Sequence, residues 1–146
     1  MKKLFIAALL TITVAASSFA SDNKKISNLA INNFRLEFAK ASNVSWSTAE
    51  KYYKATFYMG AEKMEAFYNA SGEKVATSRT ISIDELPVKA KRAFAKDYSD
   101  YTVKEAVEMD GIEETAYFLT AENDKESVIL KVTGTGGLSI FKTTKK

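Results

Sequence analysis

The sequence predicts an α+β fold of two tandem units, each a helix followed by a four-stranded antiparallel sheet. Two stretches with apolar residues at helical spacing are each followed by short alternating segments typical of strands. The aromatic residues of the two stretches also match at a nearly constant offset. Phe34 corresponds to Phe94 and Phe38 to Tyr98, in both cases 60 residues later. Such an offset indicates an internal repeat in which a helix covers one face of each sheet.

The first unit is expected over residues 21–83. Ser27 can cap a helix whose apolar face carries Ile31, Phe34, Phe38 and Ala41, and Asn43 lies near its expected end. Four strand-like segments follow, separated by turn residues. They are Val44–Trp46, Tyr52–Met59, Met64–Tyr68 and Lys74–Ile81.

The second unit is expected over residues 84–146. Asp84 and Glu85 suit the first turn of a helix, Pro87 is tolerated there, and an apolar stripe begins at Leu86. Four more segments have the alternation of strands. They are Thr102–Met109, Thr115–Ala121, Ser127–Thr133 and Leu138–Phe141.

The first twenty residues have the layout of a secretory signal peptide. Lys2 and Lys3 precede an apolar run over residues 4–16, and small residues stand at Ser18 and Ala20 before an expected cleavage site. The alternative is a transmembrane anchor, but the run is shorter than the roughly 20 residues that span a bilayer. No Cys follows the run, which argues against a lipoprotein. We therefore expect a periplasmic or secreted protein without a membrane anchor after cleavage.

Composition excludes several chemistries. The chain has 0 Cys and 0 His, so disulfides, thiolate nucleophiles, imidazole bases and the usual zinc sites are absent. Of the 21 Lys and Arg residues, Lys2 and Lys3 lie in the signal segment, which leaves 19 basic against 18 acidic residues. A nearly neutral chain has little long-range attraction for nucleic acid, so no nucleic-acid partner is expected. We also expect no cofactor and no metal site, because the acidic turns lack the oxygen spacing of a calcium loop.

No catalytic residues are expected. Ser71 and Lys74 fit the Ser-x-x-Lys pattern of acyl-transferring enzymes, but that chemistry needs the Ser at the start of a buried helix. Here the pattern falls in a glycine turn between strands. An enzyme that uses carboxylates alone stays open as a minor alternative.

The candidate binding surface lies on the predicted strands around residues 52–68. If Ala55/Phe57 and Ala66/Tyr68 face the core, the other sheet face presents aromatic and charged side chains together. Rigid aromatic residues carry much of the energy of protein recognition. The candidate protein-binding residues are Tyr52, Lys54, Tyr58 and Phe67. The alternative is that these rings pack against the second unit, Trp46 or loops.

The same segments carry a family resemblance. The relevant segments are Val44–Trp46, Tyr53–Phe57, Glu65–Tyr68 with Gly72, and Asp84–Pro87. In this order they resemble the PepSY-like family of small exported bacterial proteins, which is similar in fold to the β-lactamase inhibitor protein (BLIP). The resemblance implies a non-enzymatic binding module of the periplasm. It does not imply inhibition of a β-lactamase, because BLIP relies on disulfides and none of its contact residues can be matched here.

The sequence therefore predicts an exported, non-enzymatic module that binds another protein, with inhibition as one form of that role. The alternative is a periplasmic protein that binds a small ligand or ion in a groove between the sheets or units.

Overall fold

The computed structural model describes residues 25–49 and 51–146. The predicted signal peptide, residues 1–20, lies outside the described residues. Two ten-residue helices, α1 (Asn28–Glu37) and α2 (Val88–Asp97), are accompanied by a short 3₁₀ helix at Ile83–Glu85. The eight strands are β1 Ser42–Ala49, β2 Tyr52–Met59, β3 Glu62–Tyr68, β4 Lys74–Ile81, β5 Thr102–Gly111, β6 Thr115–Glu122, β7 Glu126–Val132 and β8 Leu138–Lys145.

The strands form one antiparallel sheet in the order β1 to β8. The prediction of an α+β fold with two separate helix-plus-four-strand units is therefore wrong: the described chain is mostly β, with one eight-stranded sheet and two short α-helices. The physical reason lies at β4 and β5. In two separate sheets each of these strands would be an edge with unpaired backbone N–H and C=O groups, whereas pairing them satisfies both rows. A pattern of apolar residues along the chain does not record that pairing.

Contacts divide the chain into two compact units. One holds the described residues up to Ser78 together with Gly111–Glu113, and the other holds Arg79–Asp110 and Glu114–Lys146. The domain boundary expected between residues 83 and 84 stays a prediction.

The core of the first unit lies between α1 and one face of β2 and β3. Ala55, Phe57, Ala66 and Tyr68 are buried there, as the alternation predicted. The ring of Phe34 meets that of Phe57 at 4.9 Å in an edge-to-face arrangement. This aromatic packing fixes which side of each strand faces away from α1.

The core of the second unit, like that of the first, is formed by one helix and the strands that it covers. Phe94 of α2 packs with Leu119 of β6 and with Val128 and Leu130 of β7. The predicted helix start is displaced. Ser82 caps the 3₁₀ helix in a capping box with Glu85, and α2 begins only at Val88, after Pro87. The proline excludes the helical conformation at the residue before it, which separates the two helices.

Candidate protein-binding face

The candidate site is the side of β2, β3 and β4 that faces away from α1, which we call the open face. Because alternate residues of a strand point to opposite sides, burial of Ala55 and Phe57 against α1 directs Tyr52, Lys54 and Tyr58 to the open face. Three of the four predicted binding residues are thus brought together on one strand. The remaining one, Phe67, lies directly opposite Lys54 on β3.

An ion pair occupies the middle of the open face. Lys54 Nζ lies 3.1 Å from Glu65 Oε1, and each side chain is only 13% exposed. Thr56 is the direct neighbour of Glu65 in the register, so the pair is diagonal across β2 and β3. Ser78 of β4 donates to the second carboxylate oxygen of Glu65 at 3.4 Å. The two charges therefore neutralise each other, and the network holds their side chains in place.

The two tyrosines flank this network along β2. Tyr52 pairs with Ala49 on β1, and Tyr58 pairs with Lys63 on β3. Both are half-buried. Each presents part of a ring on the same side of the strand as the ion pair, and this combination of rings and polar groups suits contact with a protein.

Phe67 has a different role from its neighbours. Its position opposite Lys54 directs it to the open face, but its exposure is 0%, so its ring offers no surface to a partner. Ser78, which is 5% exposed, was not among the residues predicted for this site. In the sequence, Ser78 could have been recognised only by its place in an alternating strand, where it follows Ala76 by two positions and so shares its side of the strand.

A second candidate site is a polar cleft of about 280 Å³ in the second unit. Acidic and basic side chains both line it, among them those of Asp100, Lys104, Glu122 and Lys146. Lys104 lies 2.7 Å from Glu122, and Lys146 lies 3.4 Å from the other oxygen of the same carboxylate. The hydrogen bond from Lys104, assisted by Lys146, lowers the pKa of Glu122.

Within residues 25–49 and 51–146, no group of three or more His, Cys, Asp or Glu side chains is arranged to hold a metal ion. In the same part of the chain, neither helix has the length and apolar character needed to cross a membrane.

No protein-family model matches the chain, and no curated protein sequence matches it. Solved structures do match. A DUF2874 family protein from Bacteroides uniformis has a TM-score of 0.73 at 19% identity, with 82% of this chain and 89% of that chain covered. A protein from Bacteroides eggerthii, described as a candidate periplasmic protein, has a TM-score of 0.73 at 18% identity, with 82% and 88% covered. A BLIP-like protein from Bacteroides fragilis has a TM-score of 0.69 at 22% identity, with 85% and 90% covered.

At these identities the likeness concerns the fold alone. It extends over most of each chain. None of these matches shows membership of the PepSY-like family. The chain has a BLIP-like fold.

Proposed function

We propose that this chain is an exported, non-enzymatic protein that binds another protein through the open face. In this proposal Tyr52 and Tyr58 make the main contacts, and Lys54 with Glu65 supplies a fixed polar centre. Phe67, which is fully buried, makes no contact with the partner. Cleavage of residues 1–20, a periplasmic or secreted location and PepSY-like membership belong to the same proposal.

The observation that carries the proposal is the combination of half-buried tyrosines with an internally neutralised ion pair. Tyrosine contributes a large contact area while losing little side-chain entropy, because it has few rotatable bonds. The Lys54–Glu65 pair, at 13% exposure for each side chain, is already largely desolvated, so a partner that covers it removes little further water. Both features lower the free-energy cost of covering this surface.

The proposal is tested by affinity capture from an envelope extract, followed by binding measurements with the purified partner. Tyr52→Ala/Tyr58→Ala is compared with Leu29→Ala/Leu36→Ala. The two leucines lie on α1 in the same unit and are 60% and 83% exposed, so the control removes a comparable exposed apolar area from the helix. We expect the tyrosine variant to bind at least tenfold more weakly. Two aromatic contacts, each contributing about 1 kcal/mol or more, are lost, and a loss of about 1.4 kcal/mol weakens the affinity tenfold.

The control variant should bind like the wild type. Equal binding by all three proteins, or the absence of a specific partner in the wild-type capture, would refute the proposed role of the open face. Circular dichroism of each variant shows whether the sheet has been retained.

A second candidate function is binding of a small zwitterionic ligand in the polar cleft. The cleft supports this because ammonium groups, such as that of Lys104, and carboxylates, such as that of Asp100, both line it. A thermal-shift series with amino acids should then raise the melting temperature of the wild type but not of Lys104→Gln. Equal shifts for both proteins, or none, would remove this candidate.

A further inference from the structure

A stripe of three exposed cations runs along α2. Lys89, Arg92 and Lys96 are exposed, and the 3.6-residue period of a helix places them within one narrow arc. Ala90 and Phe94, at 1% and 8% exposure, lie on the other side of the helix and pack into the core. At a rise of 1.5 Å per residue the stripe is roughly 10 Å long. We call these three residues the cationic stripe.

Within the part of the chain that the structure describes, the stripe makes no ion pair with a neighbouring carboxylate. Among the described residues, four carboxylates of the second unit make ion pairs, and all four do so with cations outside the stripe. Lys89 is also the second residue of α2, where the positive end of the helix dipole disfavours a cation. Folding alone therefore gives no reason for a lysine at this position.

The first unit shows that the fold accepts other residues at the same places. In α1 the buried pair is Ala30 and Phe34, and the residues placed like the stripe are Leu29, Asn32 and Leu36. An uncharged stripe on α1 and a cationic one on α2 thus meet the same packing requirement. The charge on α2 is then available for a role outside the fold.

The residue types indicate the kind of surface that the stripe meets. Two of its three members are lysines, which are depleted from protein–protein interfaces. The nearby aromatic ring of Phe94 is directed into the core, so the stripe offers no aromatic anchor of the kind that dominates such interfaces. Flexible point charges on a convex helix instead suit a surface that presents many anions without fixed positions, such as a layer of acidic phospholipid headgroups.

We propose that the cationic stripe of α2 docks this protein on the surface of an anionic phospholipid membrane. The contact is electrostatic and peripheral: the apolar side of α2 stays in the core, and Lys89, Arg92 and Lys96 reach the headgroup phosphates. Val88, which is 58% exposed at the start of the helix, lies next to the stripe and can meet the interface as well.

The test is co-sedimentation with phosphatidylethanolamine vesicles that contain or lack phosphatidylglycerol. All proteins are purified from the exported fraction of the expressing cells, so that their N-termini are the same. Lys89→Gln/Arg92→Gln/Lys96→Gln is compared with Lys40→Gln/Lys51→Gln/Lys142→Gln, which removes the same charge from exposed positions elsewhere. Each stripe charge should contribute about fivefold in binding, so the stripe variant should bind phosphatidylglycerol vesicles on the order of 100-fold more weakly.

The control variant should stay within about threefold of the wild type, because charges that do not touch the headgroups act only through a field that is screened over a Debye length of about 8 Å at physiological salt. Wild-type binding should weaken as salt is raised. Equal losses in both variants, or wild-type binding that is independent of phosphatidylglycerol, would overturn the proposal. Loss of an acidic protein partner in the stripe variant, without any wild-type binding to vesicles, would assign the stripe to a protein instead. Unchanged thermal unfolding of the stripe variant shows that α2 is intact.

Discussion

Gly72 lies directly against Leu29: a Cβ atom added at Gly72 would fall 2.6 Å from the Cβ of Leu29 and 2.9 Å from the backbone nitrogen of Ala30. Gly72 has a positive φ of 79° in the turn between β3 and β4. Asn33 of α1 donates to the carbonyl oxygen of Gly72 at 2.7 Å. In the second unit, Gly136 (φ 87°) faces α2 in the same way: a Cβ atom added there would fall 2.8 Å from the Cβ of Lys89. In each unit a glycine turn thus fixes the first turn of the helix against its strands.

Gly72→Ala should destabilise the protein by roughly 3 kcal/mol, because it combines an unfavourable φ with a collision against backbone and Cβ atoms of α1. Gly60→Ala is the matched control, since Gly60 also has a positive φ, 66°, but has nothing within 4 Å of the added Cβ. That control should cost about 1 kcal/mol, the cost of the left-handed conformation alone. Urea unfolding midpoints measure both. Equal losses for the two variants would show that the close approach to Leu29 has no energetic weight.

The Lys54–Glu65 pair should show strong coupling. Lys54→Met leaves the partly buried carboxylate of Glu65 with only the hydroxyl of Ser78 among its observed partners, so we expect a loss of roughly 2 kcal/mol. The double variant Lys54→Met/Glu65→Leu should recover at least half of that loss, because no unpaired charge remains. A double-mutant cycle by urea unfolding gives the coupling directly. Additive effects would contradict the view that the pair is a fixed unit of the open face.

The stability of the protein should depend on pH in the alkaline range because of Tyr101 in the second unit. Its hydroxyl donates to the carboxylate of Glu126, and this hydrogen bond, with smaller effects of burial and nearby charges, raises the pKa of Tyr101 from 10.0 to about 12. A raised folded-state pKa means that the stabilisation is complete below pH 10 and is lost as the pH rises through about 12. Tyr101→Phe should therefore lower stability at neutral pH and flatten its decline over this range.

The direct measurement is the ¹³C chemical shift of the Tyr101 ring during an alkaline titration. Glu126→Gln removes the charge of the acceptor, so the pKa of Tyr101 should fall toward its ordinary value. An unchanged titration of Tyr101 in this variant would show that Glu126 is not the cause.

Arg79 joins β4 to β5 and to the 3₁₀ helix. Its Nε and Nη2 atoms bind the two carboxylate oxygens of Glu108 at 3.0 and 3.3 Å, and Nη1 lies 3.2 Å from Glu85. Arg79→Lys keeps the charge but loses the forked geometry, so we expect a loss of about 1 kcal/mol in unfolding free energy. Glu105→Gln, an exposed change on the same β5 strand, should be nearly neutral. No difference between the two would show that the forked contact does not stabilise β4 against β5.

Local structure was largely predictable from the sequence, whereas the pairing of β4 with β5 was not. The side-chain period decides which face of a strand is buried, and it correctly placed Ala55 and Phe57 against α1. Strand pairing beyond a hairpin depends on backbone hydrogen bonds between segments separated by a helix. Those bonds leave no periodic trace, so the eight strands were divided into two sheets.

The candidate site was predictable in part for the same reason. The alternation of the strand placed Tyr52, Lys54 and Tyr58 on one face. It shows to which side a side chain points but not how far that side chain is buried, so it did not reveal that Phe67 is fully buried. The link from Glu65 to Ser78 crosses from β3 to β4. It depends on a register that no local pattern specifies.

Site-specific photo-crosslinking in living cells tests most directly whether a partner binds the open face. A benzophenone amino acid is placed at Tyr58 on the open face and, separately, at Leu36 on α1, which is 83% exposed in the same unit. We predict one discrete crosslinked partner from Tyr58, lost when Tyr52→Ala is added, and none from Leu36. A crosslink to the same partner from Leu36, or none from Tyr58, would contradict the assignment of binding to the open face.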